Sequence, residues 1–335
     1  MQEPARVYNQ NHVPRPYVRG RRRVSVYISW SYPGEVNRDL TIMDNRFSTM
    51  TEVRRALWPA YESPRFADPQ MFQQGIAGSL ELFFWAWARF QTVIAETTGH
   101  AVPVFQRVDQ AGFRLPLDER VLADADTLLV FGLDLAEEIA SSEEIEAVRA
   151  FLEREGTCLI LGPHHDVGAS PDLEERAMEY GHHGDPLVPR QQRFARHTRS
   201  LMRGLGIPVE NRYGLRPAVV DGTNRIAPLS VAKDLDTRGW LAGVTTFNFH
   251  MHLPHYAVMA EGEKSVHVLA RQPIDTSRPH PFTLAGNTEL NALLWMPPSG
   301  KRAGDVLVAD STIFSTLFGG DESLERFWKN IASAA

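Results

Sequence analysis

Asp126-Thr127-Leu128-Leu129-Val130-Phe131-Gly132, followed by a helical stripe of Ile145, Val148 and Leu152 and then by Thr157-Cys158-Leu159-Ile160-Leu161, is the stretch that decides the fold. The first run is apolar without alternation, the pattern of a strand buried on both faces. Ser141 and Glu144 sit three apart as a capping box opening a helix over 142–155, and Gly156 closes it. The second apolar strand starts at once. A strand, helix and strand at this spacing form a βαβ unit, for which parallel pairing with a right-handed crossover is the rule.

Working outward, Arg23 to Trp30 alternates and is β-branched, a first strand ending at Ser31-Tyr32-Pro33-Gly34. A helix is predicted over Ser79 to Thr97, with Leu80, Phe83, Phe84, Trp87, Phe90 and Ile94 on one broad face and Gly99 as its stop. A short strand is predicted over Ala101 to Val108. Asp305 to Asp310 reads as a further core strand, and Glu322 to Ala332 as a closing helix. The expected architecture is α/β: a doubly wound, mostly parallel, flavodoxin-like sheet with a β-rich elaboration over about 208–294. Residues 23–335 are read as a single domain. Residues 1–22 are read as an extended N-terminal arm whose ordering would call for a partner, with a homo-oligomer as the expected result. Residues 35–78 are long for a structureless connection, as a cover over a site would be.

Composition bounds the function. Over 335 residues, 43% hydrophobic and 23% charged content suffices for a large core. A net charge of −6 argues against a general nucleic-acid binder, which needs a basic field. The single cysteine, Cys158, excludes an internal disulfide and any multi-cysteine metal site, and points to a reducing compartment. With no apolar leader near Met1, a cytoplasmic location is expected. Leu80 to Ile94 is interrupted by Glu81, Arg89 and Gln91, so no membrane span is expected. No GxGxxG follows a predicted strand, and neither GxxxxGK[ST] nor GxSxG occurs, so dinucleotide, P-loop and hydrolase-elbow chemistry lack support.

In open α/β sheets ligands bind outside the carboxyl ends of the strands. Those ends carry Gly132-Leu133-Asp134, Gly162-Pro163-His164-His165-Asp166 and Asp310-Ser311-Thr312. Histidine is concentrated: His164 and His165, His182 and His183, and His250, His252 and His255 make seven of the twelve. If Phe247 to Tyr256 is a strand, His250 and His252 share a face and His255 arrives after the Pro254 bend, a three-histidine set for a zinc-like divalent ion. The bland alternative is a set of hydrogen-bonded structural histidines. His164, His165, Asp166 and Asp310 are the candidates for acid/base work or for fixing a histidine tautomer. For the two aspartates the alternative is helix N-capping. Arg190, Arg193, Arg196, Arg199 and Arg203 on a helix over 189–206 read as a solvated face, with anion binding as the alternative. Arg21 to Arg23 reads as a charge cluster before a strand.

The order Asp126 to Val130, capped helix, Gly156, Thr157 to Gly162, together with Gly304-Asp305-Val306-Leu307-Val308-Ala309-Asp310-Ser311 and a terminal helix, resembles the class I glutamine amidotransferase-like superfamily, including its ThuA-like members. The resemblance implies the flavodoxin-like sheet. It also implies a nucleophilic cysteine at the turn after the strand, where this chain has Pro163-His164-His165. Cys158 lies inside the strand, a position for a buried and inert thiol. Glutaminase activity is therefore not expected, and histidine at the nucleophile position is similar to the ThuA-like pattern.

Two functions stay open from the sequence. One is an enzyme, with a metal-dependent hydrolase of a small molecule the most economical form and a lyase or isomerase compatible. The other is a non-catalytic amidotransferase-like module for ligand binding or assembly.

Overall fold

The computed structural model describes residues 15–31, 87–108, 114–132, 139–168, 170–183, 192–193, 195–250, 252–316 and 318–333. The expected cover over 35–78, most of the arm, and the first part of the aromatic helix lie outside them. The strands are β1 (Val24–Ser31), β2 (Val104–Val108), β3 (Thr127–Gly132), β4 (Cys158–Pro163), β5 (Asp166–Val167), β6 (Gln192–Arg193), β7 (Val209–Leu215), β8 (Ser230–Val231), β9 (Leu253–Val258), β10 (His267–Pro273), β11 (Glu289–Met296) and β12 (Asp305–Ala309). The principal helices are α1 (87–98), α2 (Ser142–Glu153), α3 (Leu173–His183), α4 (Arg196–Gly204) and α5 (Asp321–Ser333).

The main sheet runs β2-β1-β3-β4-β12-β11-β10-β8. Its first five strands are all parallel, in the order 2-1-3-4-5 of a flavodoxin-like sheet. Strand alternation sorts the core into two layers. Val26, Ile28, Leu129, Phe131, Cys158, Ile160 and Leu307 face one side with Phe90 of α1 and Phe327 and Trp328 of α5. Tyr27, Leu128, Val130, Leu159, Leu161 and Val308 face the other with Val148 of α2 and Leu201 and Met202 of α4. Helices on both faces make the sheet doubly wound, which is why these strands read as unbroken apolar runs. The capping box at α2 forms as expected, Ser141 accepting from the Glu144 backbone and Glu144 reaching back to Ser141 N.

The β-rich stretch divides in two. β11, β10 and β8 continue the main sheet as antiparallel strands. β7 and β9 instead join β5 and β6 in a second sheet, ordered β6-β5-β7-β9. The chain leaves β4 at Pro163 and enters β5 at Asp166, so His164 and His165 form the step between the sheets.

Three local readings need correction. The Phe247 to Tyr256 run is not one strand: 244–250 belongs to no strand, and β9 begins only at Leu253. The described end of the arm is ordered by its own chain, because Arg15 is buried and bonds Val24 O (2.5 Å), Ser25 Oγ (2.8 Å) and the Asp124 carboxylate. Finally, the arginine helix is not simply a solvated face, since Arg199 is buried and ion-paired with Asp166. No described helix is long and apolar enough to cross a membrane.

Candidate functional site

β4 and β12 are parallel neighbours in register, Leu161 opposite Val308, so their carboxyl ends finish level. His164 leaves one and Asp310 the other. His164 Nδ1 lies 3.0 Å from Asp310 Oδ1, and both side chains are buried. The capping alternative fails for Asp310, whose side chain makes no cap bond to the short helical turn that follows and instead accepts from Thr312 Oγ1. Burial alone would raise its carboxyl; His164, then His250 and Thr312, outweigh that and hold it below the usual carboxylate range.

The run after Val244 brings His250 and His252 to the same place. Ring centroids are 5.3 Å apart for His164 and His250, 4.5 Å for His250 and His252, 4.9 Å for His165 and His252, and 4.0 Å for His164 and His165. His164, His250 and His252 each offer one nitrogen within 4.8 Å of the others. His250 is 4% exposed; its Nδ1 has no hydrogen bond and stands 3.7 Å from Asp310 Oδ2. Burial pushes its pKa down to about 3, against the pull of Asp310, so its imidazole is neutral rather than a cation at neutral pH.

The cluster is anchored from outside. Asn211 Nδ2 donates to His164 O, and Tyr256 Oη donates to Pro163 O at 2.8 Å. Gly214 of β7 lies flat against His165 and His252: a Cβ there would sit 2.5 Å from His165 Cδ2 and 2.9 Å from His252 Cβ. Asn248 Nδ2 bonds Thr312 O at 2.6 Å, tying the histidine run to the turn after β12. Asp166 does not cap a helix; it enters β5 and pairs with Arg199, a contact that orders the segment carrying His165.

His255 does not join the set. It lies on β9, accepts from Asn291 N at 3.2 Å and stacks on Phe282 at 4.6 Å, and burial pushes its pKa down to about 4. The expected triad of His250, His252 and His255 is thus replaced by His164, His250 and His252. β9, which begins at Leu253 and pairs with β7, carries His255 to Asn291 of β11 instead. His182 is structural as well, accepting from Arg216 N (2.9 Å) and donating from Nδ1 to Arg278 O (3.2 Å). Cys158 is buried and its thiol is pushed up to about 12, the inert state expected of it.

Asn211, Tyr256, Gly214 and Arg199 went unread in the sequence as neighbours of the site. Only Arg199 left a trace: it stands between His197 and Thr198 and Leu201 and Met202 on α4, and all five are buried.

No protein-family model matches the chain, and no curated protein does. Solved structures similar to it include the mmIFT52 N-terminal domain, at 10% identity over 73% of this chain and 88% of that one with a TM-score of 0.43. A protein of Bacteroides uniformis described as ThuA-like is similar at 9% identity over 95% of both chains, TM-score 0.39. The carbohydrate deacetylase Agd3 is similar at 11% identity, TM-score 0.41, with 93% of this chain matching 32% of that one. Likenesses at these values carry no argument here, and the flavodoxin-like fold rests on the strand order.

Proposed function

We propose that this protein is a metal-dependent hydrolase of a small molecule, with His164, His250 and His252 as the ligands of a zinc-like divalent ion. One observation carries the reading: three imidazole nitrogens converge, and Asp310 holds Nδ1 of one of the three rings, that of His164. A carboxylate behind a ligating histidine fixes the tautomer, leaving Nε2 of His164 for the ion and raising its basicity. In a tetrahedral three-nitrogen set the nitrogens stand roughly 3.3 Å apart, so a modest contraction of these side chains closes the site. The ion would supply Lewis acidity and water activation.

The surrounding residues have separate tasks in this reading. His165, stacked between His164 and His252, carries protons at the edge of the cluster. Asp166 orients the 164–166 step through Arg199 rather than acting as a base. A small substrate suits a site buried among strand ends in an acidic chain, and a reducing cytoplasmic setting suits one buried thiol.

Elemental analysis and equilibrium dialysis of the full chain against Zn²⁺ and Co²⁺ test the proposal. Expected is one ion per chain, lost in His250→Ala and in His252→Ala, with a cobalt visible spectrum of low coordination number. Absence of binding in the wild type overturns the metal reading and leaves the non-catalytic ligand-binding module in its place.

A further inference from the structure

A cleft of about 550 Å³ opens beside the histidines, walled by the 220–228 turn region, by 245–249 and by 318–320. That volume falls in the range of small-molecule sites. Two aromatic residues of its wall border the cluster. Phe318 packs its ring 4.5 Å from that of His250, and Phe249 immediately precedes His250. The two walls are tied by Phe249 N donating to Phe318 O at 2.9 Å.

The shape of the cleft is built into the backbone. Gly319 and Gly320 both have positive φ, 72° and 84°, a conformation other residues adopt only under strain. A Cβ on Gly320 would lie 2.8 Å from Phe247 O. The glycine pair thus lets the turn after Phe318 close tightly on the 247–248 backbone and form one wall.

The walls have one chemical character. Phe249, Phe318 and Ile226 present apolar surface, and of the two charged residues on the 220–228 turn Arg225 lines the cleft whereas Asp221 does not. Arg225 sits on the 219–226 hairpin closed by Val220 N to Arg225 O (2.8 Å), and it is exposed. No described carboxylate pairs with its guanidinium. A cation at the rim of an apolar, aromatic cleft selects an anion with an apolar body, because a guanidinium binds a carboxylate through two parallel hydrogen bonds and the rings cover the rest.

We propose that this cleft seats the non-reacting part of the ligand, and that the ligand is a small carboxylate bearing an apolar ring, its carboxylate on Arg225 and its ring against Phe249 and Phe318. The inference rests on the hydrolase reading only for the direction of the reacting bond, which points past Phe318 toward His250. Substrate selection then depends on residues outside the metal set.

Calorimetry and saturation-transfer NMR on the full chain, with phenylacetate, phenylacetamide and acetate as probes, test it. Expected is phenylacetate binding at millimolar concentration, phenylacetamide weaker by about tenfold, and no acetate binding. Arg225→Gln brings phenylacetate down to the level of phenylacetamide, Arg225→Lys recovers part of the difference, and Phe249→Ala weakens both aromatic probes. No phenylacetate binding, or equal binding of acid and amide by the wild type, overturns the proposal without recourse to any variant. Dialysis against Zn²⁺ on the same protein separates the two readings. Phenylacetate selectivity without metal leaves the cleft assignment standing and removes the hydrolase, whereas metal without phenylacetate binding removes the cleft assignment alone.

Discussion

His164 and Asp310, 146 positions apart in sequence, meet at 3.0 Å because β4 and β12 are adjacent, parallel and in register. The pair makes the carboxylate the device that sets which nitrogen of His164 faces the cluster. Asp310→Asn keeps the volume and removes the charge. Competition dialysis with a zinc chelator is expected to show a loss of about 10- to 100-fold in metal affinity, the usual effect of deleting such an outer partner. An unchanged affinity would mean that His164 is not a ligand.

His255→Ala separates the observed cluster from the one the sequence suggested. Its bond from Asn291 N and its stacking on Phe282 hold β9 against neighbouring chain. The variant is expected to lose about 1–3 kcal/mol in urea unfolding and to keep its full complement of metal. Loss of the ion at undiminished stability would restore His255 as a ligand.

What the sequence revealed follows from range. The parallel core was legible because buried strands and a capping box are local patterns: β3, α2 and β4 fall close to where Asp126 to Leu161 places them. The strand-end positions of His164 and Asp310 followed from the same patterns. The partition of 208–294 between two sheets was not legible, since β7 and β10 have similar composition and differ only in which distant strand they meet. His255 was grouped with His250 and His252 by its closeness in sequence, whereas β9, which begins at Leu253 and includes Pro254, carries it to Asn291 and Phe282. Arg199 was read as solvated because its partner, Asp166, lies 33 residues away on β5.

Gly214 is the contact surface for two of the histidines, and adding one methyl tests how tightly the cluster is held. Gly214→Ala places a carbon 2.5 Å from His165 Cδ2, an overpacking expected to cost about 1–3 kcal/mol. The His165 ring must move to accommodate it. Combining Gly214→Ala with His165→Ala opens the space again, so the two changes are expected to cost less together than the sum of the singles in denaturant melts. Simple additivity would place the strain elsewhere.

Acid stability reports a second buried network, away from the histidine cluster. Glu144 accepts from Leu117 N (3.0 Å) and Ser141 N (2.9 Å) and pairs with Arg107 and His197. Burial would raise its carboxyl, but His197 and Arg107 outweigh that and hold it down to about 2, against an ordinary value of 4.5. The unfolded chain therefore takes up this proton near pH 4.5 while the folded chain does not until about pH 2. The stabilisation is fully present above 4.5 and is lost as pH falls toward 2. Glu144→Gln removes this titration and leaves Arg107 buried without its carboxylate, at an expected cost of about 3–5 kcal/mol at pH 7. Other groups, including Asp126 and His280, also resist protonation in the fold, so the informative quantity is the difference between wild type and variant. Urea unfolding at pH 7, 5, 4 and 3 should show that difference constant down to about 5 and shrinking below it. A difference that stays constant to pH 3 would show that Glu144 titrates normally in the folded chain, and that the Arg107 pair contributes nothing to acid resistance.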